Sequence, residues 1–267
     1  MKIAGIDGCH FGWVVASRIN ESIPKIQLFK DFQSILNSFA DFDVIVVDMP
    51  IGLVKKDYTP NNILQNNPKN GRRDADIIAK RILSEFGRDG SVFYTPELEV
   101  VDYLIANNVD LGYGNYENVS NVFQEIVSHK ISKQTFGIIK KIIEINSIVT
   151  NNVTNIYEFH PEITWIKTCG MKKLDSKKSK DGKRQRLESL TDKLPKIRRD
   201  TLENLIYRSS YKKSKDVSKD DIIDALSGLL VAEKIFNGLK NNDKIDAIPE
   251  LTPEERFSLP LQQHIFF

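Results

Sequence analysis

Acids set against apolar neighbours are the chemically suggestive feature of this chain. Two aspartates close strand-like runs near its start, Lys2-Ile3-Ala4-Gly5-Ile6-Asp7-Gly8 and Val44-Ile45-Val46-Val47-Asp48-Met49-Pro50. A third lies inside the apolar helical stretch Asp220-Asp221-Ile222-Ile223-Asp224-Ala225-Leu226. A carboxylate in such surroundings is costly unless it is paired, hydrogen-bonded or bound to a cation. Acids at the carboxyl ends of strands, facing the start of a late helix, would assemble a divalent-metal site. That chemistry suits phosphodiester hydrolysis.

Each acid also has a plainer explanation. Asp7-Gly8 is a common turn dipeptide, and Asp48 stands before the proline loop Met49-Pro50-Ile51-Gly52. Ser218-Lys219-Asp220-Asp221 fits a capping box, which accounts for Asp220 and Asp221 but not for Asp224. Asp221 and Asp224, three residues apart, share one helix face, and Ala225, Gly228 and Ala232 continue it with small side chains. Such a stripe lets a helix approach a sheet closely and would carry both acids to the strand ends. Glu158 and Glu162 flank Phe159-His160-Pro161, with Glu158 in an apolar strand and Glu162 at a helix start. His160 reads as a core histidine before a general base, and no partner stands at zinc-ligand spacing.

Basic residues supply the complement. The segment from Lys172 to Arg186 holds eight Lys or Arg against Asp175 and Asp181. It is either a solvated face or a surface that holds a phosphate backbone, with Lys177, Lys178, Lys183 and Arg184 as the contacts. Arg73, Asp76 and Lys80 fall on one helix face, as a surface salt-bridge ladder or a second substrate contact.

The elements that must position these residues follow from hydrophobic patterning. Residues 2–7, 13–16 and 26–29 read as strands, the last two joined as a hairpin by a turn near Glu21 to Pro24. Phe32, Ile35, Leu36 and Phe39 predict a helix over 31–40, and Val44 to Val47 a central strand buried on both faces. Residues 57–71 and 208–217 read as loops, and helices are predicted at 72–86, 97–106, 117–129 and 133–146. Strand character returns at 155–159, followed by helices at 183–190, 198–207 and 219–239 and a proline-bearing tail. The result is one α/β domain with a core of 1–53 and 153–267 and a helical insertion at about 54–152. At 267 residues the chain can bury a real core, and 40% hydrophobic with 28% charged residues is the composition of a globular protein. The net charge of +2 points to no partner by itself. Two cysteines without metal spacing, no leader-like opening and no membrane-length apolar run predict a cytoplasmic protein with free thiols.

Taken in order, GIDGCHFGWVVA, VDMPIGL, RRDADIIAKRIL with GSVFYTP, SKQTFGIIKKIIEIN, YEFHPE and DDIIDALSGLLVAEK resemble one family, the domain-of-unknown-function family 429. Its members are described as predicted nucleases with a ribonuclease H-like fold. The resemblance runs from Lys2 to about Gly238 and implies a ribonuclease H-like mixed sheet flanked by helices. It implies that Asp7 is the first-strand aspartate and Asp48 the acid closing the fourth strand. Asp221 and Asp224 would be the acids of the last helix, and Glu158 and Glu162 match the E-x-H-P-E pattern. The chain departs from the family pattern at Lys80, where arginine is usual, and at His10, where arginine is frequent.

The expectation is therefore a metal-dependent nuclease or phosphodiesterase. Asp7, Asp48, Asp221 and Asp224 would hold Mg²⁺ or Mn²⁺, and Glu158 and Glu162 would complete the catalytic set. Lys177, Lys178, Lys183, Arg184 and Arg73 would contact a nucleic acid or related phosphodiester. The alternatives are a non-catalytic nucleic-acid-binding protein with a relict site and an actin- or sugar-kinase-like phosphotransferase. For the latter, Met49-Pro50-Ile51-Gly52 is a poor phosphate loop.

Overall fold

The computed structural model describes residues 1–60, 70–149, 155–207, 216–251 and 263–267. The predicted loops at 57–71 and 208–217, and the tail after Leu251, lie partly outside these residues. The chain divides into two compact units, one formed by Met1–Met49, Asn152–Leu261 and Ile265–Phe267, the other by Pro50–Asn151 and Gln262–His264.

The first unit carries a mixed seven-stranded sheet. Its strands are β1 (Lys2–Gly8), β2 (Trp13–Ile19), β3 (Lys25–Phe29), β4 (Val44–Val47), β5 (Ile156–Phe159), β6 (Ala247–Ile248) and β7 (Ile265–Phe266). They lie in the order β3-β2-β1-β4-β5-β7-β6. β1, β2 and β3 form an antiparallel meander, while β4 runs parallel to β1, β5 to β4 and β7 to β5. The central strands β4 and β5 are buried throughout, as continuous apolar runs require when both faces are covered. β6 and β7, two residues each, are additions that alternation over so short a span cannot announce.

Helices cover both faces. α1 (Phe32–Ser38) begins at Asp31, whose carboxylate accepts from the Ser34 amide at 2.8 Å. Phe32 of α1 meets Trp13 edge-on, ring centroids 5.1 Å apart, and Trp13 is paired with Gly8. Strand alternation therefore sets α1 on the face of Ala4, Ile6 and Gly8.

The opposite face, that of Ile3, Gly5 and Asp7, receives α9 (Lys219–Asn241). Here two glycines let backbone meet backbone. A Cβ added to Gly228 would stand 2.8 Å from the Gly5 Cα and 3.0 Å from both Phe159 and Val46. One added to Gly5 would strike the Ala225 carbonyl and come within 2.8 Å of the Gly228 Cα. Arg18, paired with Ile3 on this same face, reaches Glu233 of α9 at 2.7 Å. α6 (Pro161–Lys167), α7 (Lys180–Lys193) and α8 (Arg199–Tyr207) pack beside α9.

The second unit is helical. Its helices are α2 (Asp74–Ser84), α3 (Leu98–Ala106), α4 (Tyr116–Val127) and α5 (Lys133–Ile148). Val100, Leu104, Val119, Phe123, Phe136 and Ile139 fill a core among the last three. Asn146 of α5 ties down the start of the unit, donating to the Pro50 carbonyl and accepting from the Gly52 amide, each at 2.8 Å. Among the described residues no helix is long and apolar enough to cross a membrane.

Candidate active site

The Gly5–Gly228 crossing dictates which acids meet. Asp7 lies two residues beyond Gly5 on β1 and so points to the same face. Asp224 lies four residues before Gly228, one helical turn nearer the strand ends. The β1–β4 ladder continues one residue past β4, since the Asp48 amide donates to the Ile6 carbonyl at 2.9 Å. Asp48 therefore stands beside Asp7, on the face that Val46 presents to Gly228.

Asp7 is 8% exposed and Asp224 1%. The Asp7 carboxylate makes no hydrogen bond or ion pair with a described residue. Asp224 Oδ2 takes the Lys177 ammonium at 2.7 Å, while its Oδ1 is buried without a hydrogen-bond partner among the described residues.

Burial, then the negative charges of Asp48 and Asp224, pushes the Asp7 carboxyl well above the usual carboxylate range. Burial and Asp224 do the same to Asp48, against the pull of Lys177. Asp224 is pushed up to about 6, burial outweighing Lys177. Burial also opposes the charge of Lys177, but Asp224 and Glu162 together hold its ammonium above the ordinary lysine range.

The acids flanking His160 part company. Phe159 faces α9, so Glu158, one residue earlier on β5, leaves the opposite face of the sheet, and it is buried there. Glu162, in the first turn of α6, stays with the cluster. Its oxygens lie 3.7 Å from Arg186 Nη2 and 3.9 Å from His160 Nδ1. Burial pushes Glu162 up, yet His160, Lys177 and Arg186 together bring it below the usual range.

Asp221 serves its helix: Oδ2 accepts from the Ser218 amide at 2.8 Å and Oδ1 from the Ser218 hydroxyl at 2.9 Å. The capping box is thus formed, and Asp221 acts on Asp7 only through its charge.

The basic segment is not one surface. Lys177 turns inward to Asp224. Lys178 is exposed, Lys183 lies 3.4 Å from Asp220, and Arg184 pairs with Asp181 and Glu188 on the outside of α7. Arg186 is enclosed, donating to the carbonyls of Asp175 and Gly182 at 3.0 Å. It went unselected among the basic residues, although it stands four before Leu190 on a face that also buries Leu187. A Cβ on Gly182 would strike the Ser176 carbonyl, so that glycine draws the 175–177 turn onto α7 and brings Lys177 to Asp224.

Arg73 is placed inside the helical unit, 1% exposed, rather than on a surface. Its guanidinium forks onto Asp76 Oδ1 and donates to the Ile51 carbonyl at 3.0 Å, while Asp76 Oδ2 accepts from the Thr95 amide at 3.0 Å. The predicted ladder of Arg73, Asp76 and Lys80 is therefore a buried pair plus a separate lysine, which donates to the carbonyls of Asp89 and Val92.

Among the described residues no three His, Cys, Asp or Glu side chains are drawn into a group that could hold a metal ion. What the geometry defines is an α/β protein with a buried acid cluster at the carboxyl ends of two adjacent parallel strands, held against one helix and answered by an inward lysine. The chain matches the family described as "Protein of unknown function (DUF429)" over residues 5–250, and it belongs to that family. No curated protein and no solved structure matches it.

Proposed function

We propose that the protein is a metal-dependent phosphodiesterase acting on a nucleic acid or a related phosphodiester, built on a ribonuclease H-like core. The observation that carries this reading is the surplus of enclosed carboxyl groups: Asp48 and Asp224 raise Asp7, Asp224 raises Asp48, and Asp7 and Asp224 keep carboxylate oxygens that no described residue takes. The β3-β2-β1-β4-β5 order, with an antiparallel meander feeding parallel strands, supports the core assignment. So does the placement of the acids at the strands' carboxyl ends, where open α/β sheets bind ligands.

In charge and in type the donors suit a hard divalent cation, although among the described residues they are not drawn together as a ligand set and would have to close on the ion. All are carboxylate oxygens, and Asp224 Oδ1 is an orphaned acceptor. Asp7, Asp48 and Asp224 would hold Mg²⁺ or Mn²⁺. Asp221 would join only by giving up its cap. A bound divalent ion would supply Lewis-acid stabilisation of the phosphoryl oxygens and a water of lowered pKa.

The chain's own residues do the rest. Lys177, bonded to Asp224 and favoured by the charge of Glu162, keeps a positive charge at the rim of the acids. Glu162 is itself favoured in its ionised form, against burial, by His160, Lys177 and Arg186. Lys178, Lys183 and Arg184 would meet backbone phosphates, binding that weakens as salt rises.

Thermal unfolding with Mn²⁺ or Mg²⁺, wild type beside Asp7→Asn, followed by a screen of RNA, DNA and small phosphodiesters, tests this. Cation binding to the native state raises the melting temperature, and the rise is lost in the variant together with turnover. An Asp7→Asn protein that folds and cleaves as fast as wild type would sink the assignment. One observation favours a second reading, a nucleic-acid-binding protein with a relict site: the Lys177 ammonium already sits on Asp224. Salt-sensitive binding of RNA or DNA without metal-dependent turnover is its signature.

A further inference from the structure

The helical unit holds a cavity of about 290 Å³ whose lining has no part in the acid cluster. Arg72 lies over the ring of Tyr94, its guanidinium carbon 3.4 Å from the ring centre. That guanidinium makes no hydrogen bond or ion pair with a described residue, so its donors are held in place and unclaimed. Lys80 gives two hydrogen bonds to carbonyls, both 3.3 Å long, and an ammonium has a third proton to give.

Deeper in the lining stands Glu97, 4% exposed, whose Oε1 meets His129 Nε2 at 2.8 Å. Its other oxygen, Oε2, is buried with no partner among the described residues, as is the hydroxyl of Thr95, also 4% exposed. An unsatisfied buried carboxylate oxygen is costly, and a ligand that donates to it would relieve the cost.

Charge selects the class of ligand. Arg72, Lys80 and Lys130 line the cavity against Glu97 alone, before any proton on His129 is counted. A zwitterion such as an amino acid would satisfy Glu97 but leave that positive surplus standing. A phosphate monoester, with a charge of roughly −1.5 to −2 at neutral pH, cancels it. The volume sits at the lower edge of small-molecule pockets, roughly 300–1,000 Å³, and suits one sugar phosphate unit.

We propose that this cavity binds a phosphate monoester bearing a hydroxyl group, with the phosphate on Arg72 and Lys80 and the hydroxyl donating to Glu97. The ligand is either a free sugar phosphate or the 5′-terminal nucleotide of a nucleic acid, and the two share this chemistry. The site is independent of the phosphodiesterase reading.

The test is titration calorimetry on the full chain in an Asp7→Asn background with chelator present, so that the acid cluster contributes nothing. Ribose 5-phosphate, a 5′-phosphorylated RNA dinucleotide, inorganic phosphate, ribose and glycine are compared. Ribose 5-phosphate or the dinucleotide binds at least tenfold tighter than inorganic phosphate or ribose, and the tighter of the two identifies the source. Arg72→Met weakens that binding at least tenfold, and Glu97→Gln narrows the preference over inorganic phosphate. Lys80→Met, at a partly exposed position, repeats the test should Arg72→Met fail to fold. No saturable binding of either phosphorylated ligand, equal binding by the folded cation variants, or tighter binding of glycine overturns the proposal.

Discussion

Two ion pairs on buried aspartates, one in each unit, look alike by type and differ in what they leave over. Arg73 and Asp76 in the helical unit are 1% and 2% exposed, and their groups are spoken for: one aspartate oxygen by the guanidinium, the other by the Thr95 amide, and the guanidinium also by the Ile51 carbonyl. Lys177 and Asp224 in the sheet unit form a contact of 2.7 Å, yet one aspartate oxygen stays unpartnered and two further acids crowd the pair. The first arrangement is closed and holds a fold together. The second is open, and folding alone gives no reason to gather so many carboxylates. Burial of charge is thus a poor guide to function, and the unsatisfied remainder is a better one.

The largest effect should come from breaking the closed pair. Arg73→Met leaves buried Asp76 with the Thr95 amide as its remaining partner among the described residues. Removing one partner of a buried pair costs about 3–5 kcal/mol, and urea unfolding should register that loss. A loss below about 1 kcal/mol would mean that the pair does not hold the unit together.

The open pair should show itself through pH. Asp224 has an ordinary value of 3.8 and is raised to about 6 in the fold, so the folded state favours its proton. The stability this gives is fully present below about 4 and is lost as pH rises through 6. A shift of roughly two units corresponds to ~3 kcal/mol. Asp224→Asn removes that dependence while adding a constant cost for the lost lysine contact. Its stability relative to wild type should therefore climb by about 2–3 kcal/mol between pH 4 and pH 7 in metal-free buffer. A flat difference would show that Asp224 is already neutralised by Lys177, and the open pair would then be as closed as the other.

Much of the scaffold behind this contrast was legible from local pattern. The continuous apolar runs at Ile3–Ile6 and Val44–Val47 forecast buried strands, the spacing of Phe32, Ile35, Leu36 and Phe39 forecast α1, and the small residues after Asp224 forecast a helix lying close on the sheet. What escaped was set by distance along the chain. Lys177 reaches Asp224 across 47 residues, and only the fold turns it from a basic surface residue into the partner of an acid. Arg186 and Arg73 read as surface charges because arginine is rarely buried, and their carbonyl partners carry no signature in sequence. Glu158 and Glu162 looked equivalent on either side of His160, but the change from strand to helix between them separates them: Glu162 pairs with His160 and Arg186, while Glu158 leaves the opposite face of the sheet and reaches Asp48 only through its charge.

Gly228→Ala tests how far the open site depends on the close crossing. The new methyl would stand 2.8 Å from the Gly5 Cα, so α9 must lift from β1. Overpacking of this kind costs about 1–3 kcal/mol. Because Asp224 lies on the lifted helix, the melting-temperature rise with Mn²⁺ should also shrink, while the Arg73–Asp76 pair in the other unit stays unaffected. A variant that loses stability but keeps the full response to Mn²⁺ would detach the acids from the crossing.

The smallest effects separate two adjacent lysines. Lys178→Ala removes an exposed side chain and should change stability by less than about 0.5 kcal/mol, as surface substitutions do. Its effect belongs in binding: one phosphate contact fewer lowers the salt dependence of nucleic-acid affinity by about one unit of slope. Lys177→Ala removes the cation that answers Asp224 and should destabilise the metal-free protein, with Mn²⁺ restoring more stability than it gives wild type because the competing ammonium is gone. If the two variants behave alike, Lys177 is one more charge on a basic face. If they diverge, the inward turn of one lysine is what distinguishes a site from a surface.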